Sequence, residues 1–322
     1  MRLRPRVTGG GCWDRLEKRD GLSHHAGMKI VVAGASGMLG TALTPALRER
    51  GHEVIGLGRT GGAQVARWDP ARGELDRAVM EGAGAVINLA GAGIAEGRWT
   101  AARRAEILNS RVQSTRILVE TMASIEARPE VFVCASAAGF YGEGGECELT
   151  EEAPPGDTFL AQVCQRWEAG AREAVPLGIR VVMMRLGMIL SAQGGALAKM
   201  LPVFRSRLGG PAGGGTQWVS WITLDDAVAA FVHAVEVKTV HGPVNTAAPG
   251  VVRNAEFARA LGEVLVRPAV VPAPAPMLRL MFGQMADETI LQSARLVPRG
   301  LQASGFTFAH PELRGALRSV VA

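Results

Sequence analysis

The sequence predicts an α/β protein: a doubly wound parallel sheet with a smaller C-terminal α/β lobe. Three observations carry this. From Met28 onward, short β-branched apolar runs alternate with amphipathic helical patterns, which implies right-handed crossovers and a sheet covered on both faces. The first run ends in a turn with glycines at 34, 37 and 40 that opens directly into a helical pattern. After Leu190 the alternation gives way to Gly/Pro-rich connections between further helical segments.

In order, residues 28–33 read as a strand and 38–50 as a helix stopped by Gly51. Strands follow at 53–57, 64–68 and 85–89, then a long helix over 100–124 and a strand at 130–135. A helix over 159–174 and a strand at 179–184 complete the alternation. The glycine run 209–215 leads to a strand at 219–222 and a helix. Thr223 is placed to cap that helix, with Asp225 and Asp226 favourable in its first turn. Beyond Asn245 come two more helical segments around a Pro-rich connector, 268–276. The expected division is a dinucleotide domain over 28–190, rejoined by 217–247, and a smaller lobe from 191–216 and 248–322. Residues 1–27 read as a disordered extension or as the result of a start codon placed upstream of Met28.

At 322 residues and 48% hydrophobic, the chain can bury a full core. Its net charge of +5 is misleading, because residues 1–27 carry six Arg or Lys against three Asp or Glu. The remainder is nearly balanced and has no basic run with interleaved aromatics, so no nucleic-acid partner is expected. Cys12, Cys134, Cys147 and Cys164 form no C-x-x-C pair, and there is no H-E-x-x-H. Reduced thiols in the cytoplasm and no metal site are the expectation. No stretch has transmembrane length, and the first 27 residues lack the apolar core of a signal peptide. Asp14, Glu17 and Asp20 argue against an import peptide.

The turn Gly34-Ala35-Ser36-Gly37-Met38-Leu39-Gly40 carries the chemistry. One glycine permits the sharp strand-to-helix turn, one lets backbone N–H groups approach a pyrophosphate, and one lets the helix pack against the strand. The helix N-terminus then faces the phosphate charge. The spacing is G-x-x-G-x-x-G in the context of a Rossmann dinucleotide site. NAD sites place a carboxylate at the end of the second strand. Here Gly58-Arg59-Thr60 offers none, and the Arg59 guanidinium suits a 2′-phosphate, so NADP(H) is the expected cofactor. A solvated surface arginine is the alternative.

Further blocks run in order along the chain: Asn88-Leu89-Ala90-Gly91, Arg98-Trp99, Asn109-Ser110-Arg111 and Ser136-Ala137-Ala138-Gly139-Phe140-Tyr141-Gly142. They continue with Trp167-Glu168-Ala169, Arg185-Leu186-Gly187, Gln217-Trp218, Trp221-Ile222 and Asp225-Asp226. Val297-Pro298, Gly305-Phe306-Thr307-Phe308 and Pro311-Glu312-Leu313 close the series. Together these blocks resemble the extended short-chain dehydrogenase/reductase superfamily, and within it the atypical SDR39U-type "epimerase family protein" branch. The resemblance spans 28–322. It implies NADP(H) contacts at Gly34, Ser36, Gly37, Met38, Leu39 and Gly40, at Gly58 and Arg59, and at Leu89 and Ala90. It also implies contacts from Glu106 and Arg111, with Ile189 bordering the nicotinamide. For Glu106 and Arg111 a solvated helix pair is the alternative, although five residues is not the spacing of one helix stripe.

Active members of that superfamily use a Tyr as general acid/base, a Lys four residues later, and a Ser that polarises the reacting group. Aligning the Trp167-Glu168 region with the family helix puts Leu160 at the Tyr position and Cys164 at the Lys position. Neither can do that work. Ser136 keeps its position as a candidate active-site hydroxyl, or as a simple loop hydrogen bond. Tyr141, the single tyrosine, is the candidate substitute acid. Trp99, Trp218 and Trp221 are candidates for a cavity wall or for core packing. Two readings follow: an NADP(H)-dependent, epimerase-like oxidoreductase acting on a small molecule in the cleft between the lobes, or a non-catalytic NADPH-binding sensor. The resemblance also implies a homodimer through the helices at 100–124 and 159–174.

Overall fold

The computed structural model describes residues 27–321, so the expectation for the first 27 residues lies outside the description except for Gly27. The first half runs β1 (Lys29–Ala33), α1 (Met38–Glu49), β2 (Glu53–Gly58), β3 (Val65–Asp69), β4 (Glu74–Leu75), β5 (Ala85–Asn88), α2 (Ala101–Ser124) and β6 (Val131–Ala137). It continues through β7 (Glu148–Leu149), α3 (Phe159–Arg172), β8 (Arg180–Leu186), β9 (Met188–Leu190) and α4 (Gly195–Arg205). The remainder is β10 (Trp218–Val219), β11 (Trp221–Thr223), α5 (Leu224–Glu236), β12 (Gly242–Thr246), β13 (Val252–Arg253), α6 (Asn254–Leu265), α7 (Ala275–Phe282), β14 (Arg295–Leu296), α8 (Arg299–Ala303) and α9 (Leu313–Val321).

Eight strands form one sheet in the order β12-β8-β6-β5-β1-β2-β3-β4, parallel throughout except for the β3–β4 hairpin. Helices α1 and α5 pack together, as do α2 and α3. The central strands are accordingly apolar along most of their length, with Ile30, Val31 and Val32 fully buried beside Val86 and Ile87. The strand order reverses between β1 and β5, so their carboxyl ends diverge into the crevice where ligands of such sheets bind. Thr100, Thr158 and Thr223 each accept a backbone N–H three residues on, at the starts of α2, α3 and α5.

Two strands depart from the sequence expectation for a tertiary reason. Ser136 and Ala137 continue β6 because they pair with Arg185 and Leu186 of β8. At β3 the start moves to Val65, because Gln64 takes a left-handed φ of 59° and closes a tight bridge between Gly62 and Val65. A second core gathers Leu190, Leu197, Leu201, Phe204, Trp221, Phe257, Leu261 and Leu317 from α4, α6, α9 and the strands beside them. The glycine run is pinned rather than loose. Val271 donates to the Gly209 carbonyl, Gly213 to that of Ala273, and Ala273 to that of Pro211.

Candidate functional site

The turn after β1 has the form a pyrophosphate needs. Gly34 takes φ 79°, and a Cβ there would sit 2.8 Å from the Leu89 carbonyl carbon, so only glycine fits between the diverging ends of β1 and β5. A Cβ on Gly40 would lie 2.3 Å from the Gly34 carbonyl oxygen, which holds α1 tightly against the turn. Gly37 differs: its nearest neighbour would be 3.4 Å away, and both Ser36 and Gly37 are exposed. No side chain caps α1, so the first N–H groups of the helix have no side-chain acceptor and the positive end of its dipole lies at the turn. Backbone donors, clearance and field all fit a dinucleotide phosphate.

The other expected contacts surround this turn. Gly58 and Arg59 stand at the end of β2, next to β1. Arg59 is exposed and makes no ion pair or hydrogen bond among the described residues. Leu89 and Ala90 follow β5, where the Asn88 side chain accepts the Ala90 N–H at 3.1 Å and fixes the strand end. On the far side, a Cβ on Gly194 would be 3.0 Å from the Met38 sulfur, and one on Gly195 3.6 Å from the Ile189 carbonyl. The structure thus brings Met38 and Ile189 to one wall.

Glu106 and Arg111 have separate partners. Glu106 pairs with Arg103 at 2.7 Å, three residues back on the same helix. A helix salt bridge therefore does account for Glu106, contrary to the spacing argument, which considered only Arg111 as its partner. Arg111 donates to the carbonyls of Ala92 and Ile107, both at 3.0 Å, and stacks over Trp167 with 5.1 Å to the ring centroid. It lies directly beneath Gly91 and so supports the loop that follows β5.

The two candidate hydroxyls belong to a buried polar network. Glu168, on α3, accepts from the Ser136 hydroxyl at 2.8 Å and from Nε and Nη2 of Arg185, both at 2.8 Å. Arg185 also donates from Nη1 to the Tyr141 hydroxyl at 2.9 Å and lies 3.5 Å over the Phe140 ring. The Tyr141 hydroxyl donates in turn to Asn245 Oδ1 at 2.7 Å. Burial pushes the Tyr141 pKa up to about 12 against the lowering effect of Arg185. Ser136 and Tyr141 therefore spend their protons on buried partners, and neither is presented to an open cleft.

Leu160 and Cys164 are equally closed in. Leu160 packs with Trp99, Ile107, Val163 and Met285, while burial pushes the Cys164 thiol up to about 11. Glu288, which follows α7 in the chain, accepts the N–H groups of Phe159 and Leu160 at 3.2 and 2.7 Å, bracing the start of α3. Trp221 is fully buried and Trp99 nearly so. The guanidiniums of Arg253 and Arg295 lie 3.9 and 4.7 Å from the centroid of the Trp218 ring. A polar cavity of about 270 Å³ is lined by Glu143, Glu146, Gly213, Gln217, Arg279 and Ser293.

Glu151 joins this network, accepting the Asn245 N–H at its carboxylate and Arg185 Nη1 at its carbonyl, both at 3.1 Å, and the sequence reading gives Glu168, Arg185, Asn245 and Glu151 no site role. Their signal was present. Arg185 interrupts an apolar strand, and Glu168 lies among the buried positions of α3 between Cys164 and Ala171. A charge in each buried element demands a partner. Among the described residues no three His, Cys, Asp or Glu side chains gather as a metal site, and no helix is long and apolar enough to cross a membrane.

Comparison with known proteins agrees with this architecture. Residues 30–246 match the profile of the NAD dependent epimerase/dehydratase family, and 273–320 match a domain of unknown function, DUF1731. The Mycobacterium bovis epimerase family protein Mb2239 is 38% identical over 290 residues, covering 89% of this chain and 96% of that protein. The crystal structure of human epimerase family protein SDR39U1 (isoform 2) with NADPH superposes with a TM-score of 0.84 at 34% identity, covering 91% of this chain and 99% of that one. A nucleoside-diphosphate sugar epimerase from Corynebacterium glutamicum gives 0.74 at 31% identity, covering 92% of this chain and 58% of that one. A glycine turn at the strand-order reversal, the sheet order and these matches agree: the chain belongs to the NAD dependent epimerase/dehydratase family, among its SDR39U-type epimerase family proteins.

Proposed function

We propose that this chain is an NADP(H)-dependent, epimerase-type oxidoreductase acting on a small molecule held between the sheet domain (28–190 with 217–247) and the smaller lobe. The observation that carries it is the exposed, uncapped turn at Ser36 and Gly37 next to Arg59, which is exposed and has no partner among the described residues. The NADPH in the human relative's structure supports the same cofactor. When bound, NADP(H) supplies hydride exchange at its nicotinamide. In this reading Gly34, Ser36, Gly37, Met38, Leu39 and Gly40 hold the pyrophosphate, and Gly58 and Arg59 hold the 2′-phosphate. Leu89 and Ala90 border the adenosine ribose, Arg111 and Glu106 support that wall, and Ile189 borders the nicotinamide.

Ser136 and Tyr141 act by position, fixing the end of β6 through Glu168, Arg185 and Asn245. The cavity beside Glu143 and Glu146 is the candidate substrate entrance. A cytoplasmic location fits Cys134, Cys147 and Cys164, which form no disulfide among the described residues. In this reading a homodimer would form through α2 and α3, where Asn109, Arg116, Glu120, Gln162 and Arg166 are exposed, and light scattering tests it.

Titration of the chain with NADPH and NADH tests the cofactor. Arg59→Ala should weaken NADPH about tenfold, since a charge-assisted contact at an exposed site contributes about 1.4 kcal/mol, and leave NADH unchanged. Equal affinity of the wild type for both would remove the argument from Arg59. Mixing NADPH-loaded protein with carbonyl compounds and sugar nucleotides then tests turnover through the nicotinamide absorbance.

A further inference from the structure

We propose that Arg67, on β3, is a second reader of the cofactor's 2′-phosphate and sets the preference for NADP(H) jointly with Arg59. The inference rests on the NADP(H) reading above and deepens it. The two strands run parallel with Gly56 opposite Val65 and Gly58 opposite Arg67. A Cβ on Gly56 would lie 3.1 Å from the Ala35 Cβ in the glycine turn and 3.8 Å from Val65 Cγ2, and one on Gly58 3.0 Å from Val65 Cγ1. Val65 therefore projects on the face that looks onto the glycine turn. Side chains alternate with a period of two along a strand, so Arg67 projects on that same face, level with Gly58.

The turn that carries Arg59 folds back onto this residue. Gly61 would place a Cβ 3.8 Å from the Arg67 Cβ, and the Gly62–Val65 bridge closes the turn. With glycine at 56, 58, 61 and 62, no side chain from those positions fills the space between the two arginines.

The charges point the same way. Arg59 and Arg67 are both exposed, and neither has an ion pair or side-chain hydrogen bond among the described residues. The acids nearby are already engaged. Asp69 accepts the N–H groups of Ala71 and Arg72 at 3.0 and 3.3 Å, and Glu74 pairs with Arg72 at 3.1 Å. Two planar donor forks left without an anion at the end of β2 match a phosphate monoester, which has more oxygens than one guanidinium can serve.

The test uses the full chain as wild type, Arg59→Ala, Arg67→Ala and Arg67→Lys. Each is titrated with NADPH, NADH, adenosine 2′,5′-bisphosphate and 5′-AMP, with melting temperature as the check on folding. Arg67→Ala should weaken NADPH and the bisphosphate about tenfold and leave NADH and 5′-AMP unchanged. Arg67→Lys should recover part of the loss, because it keeps the charge without the fork. Unchanged NADPH affinity in Arg67→Ala beside a weakened Arg59→Ala overturns the role of Arg67 and leaves the cofactor reading standing. No preference of the wild type for NADPH over NADH overturns both.

Discussion

Replacing Glu168 by Gln should be among the most damaging single changes in this chain, although the two side chains have nearly the same shape. The Glu168 carboxylate is 1% exposed and accepts from Ser136, from Arg185 twice and from Arg172. Glutamine removes the charge and turns one acceptor into a donor facing other donors. Arg185, itself 2% exposed, then stays buried without a counter-ion, a loss of about 3–5 kcal/mol. The Arg172 contact adds under about 1 kcal/mol, because that side chain is half exposed. At roughly 2–4 °C per kcal/mol for a chain of this size, the melting temperature should fall by about 10 °C. Thermal unfolding followed by circular dichroism reads this directly. The double variant Glu168→Leu with Arg185→Met, which removes both charges, should recover part of the loss. A Glu168→Gln protein that melts within about 2 °C of wild type would refute the account of the network.

Two further outcomes follow from the same geometry. Gly40→Ala must shift the backbone of the turn, at a cost of about 1–3 kcal/mol, and should abolish NADPH binding, whereas Gly37→Ala should fold normally and only weaken it; differential scanning calorimetry with and without NADPH separates the two. Since Tyr141 is the only tyrosine, tyrosinate absorbance reports it alone and should not rise in the folded protein until near pH 12. Its pKa is raised on folding, so its contribution to stability is complete below its unfolded value near 10 and is lost as pH climbs through 12. A rise centred on pH 10 in the folded state would mean that the hydroxyl is solvated.

Local rules made most of the fold legible. The alternation of β-branched runs with helical patterns located the major strands and helices, because their periods differ and each must bury an apolar face. Thr223 was readable as a cap, since a hydroxyl before Leu224-Asp225-Asp226 has a nearby N–H to accept. The register that extends β6 to Ala137 was not readable, because it depends on β8, more than 40 residues away in the chain.

The glycine turn and the missing acid at Arg59 were legible in the chain alone, since each is a matter of residue type and near spacing, while the Tyr and Lys positions at Leu160 and Cys164 came from the family resemblance. What Ser136 and Tyr141 do with their hydroxyls depended on the packed fold. Their partners, Glu168 and Asn245, lie 32 and 104 positions away, and a hydroxyl donates wherever the fold brings an acceptor. The same holds for Arg67, whose place beside the glycine turn follows from a strand register that no local pattern encodes.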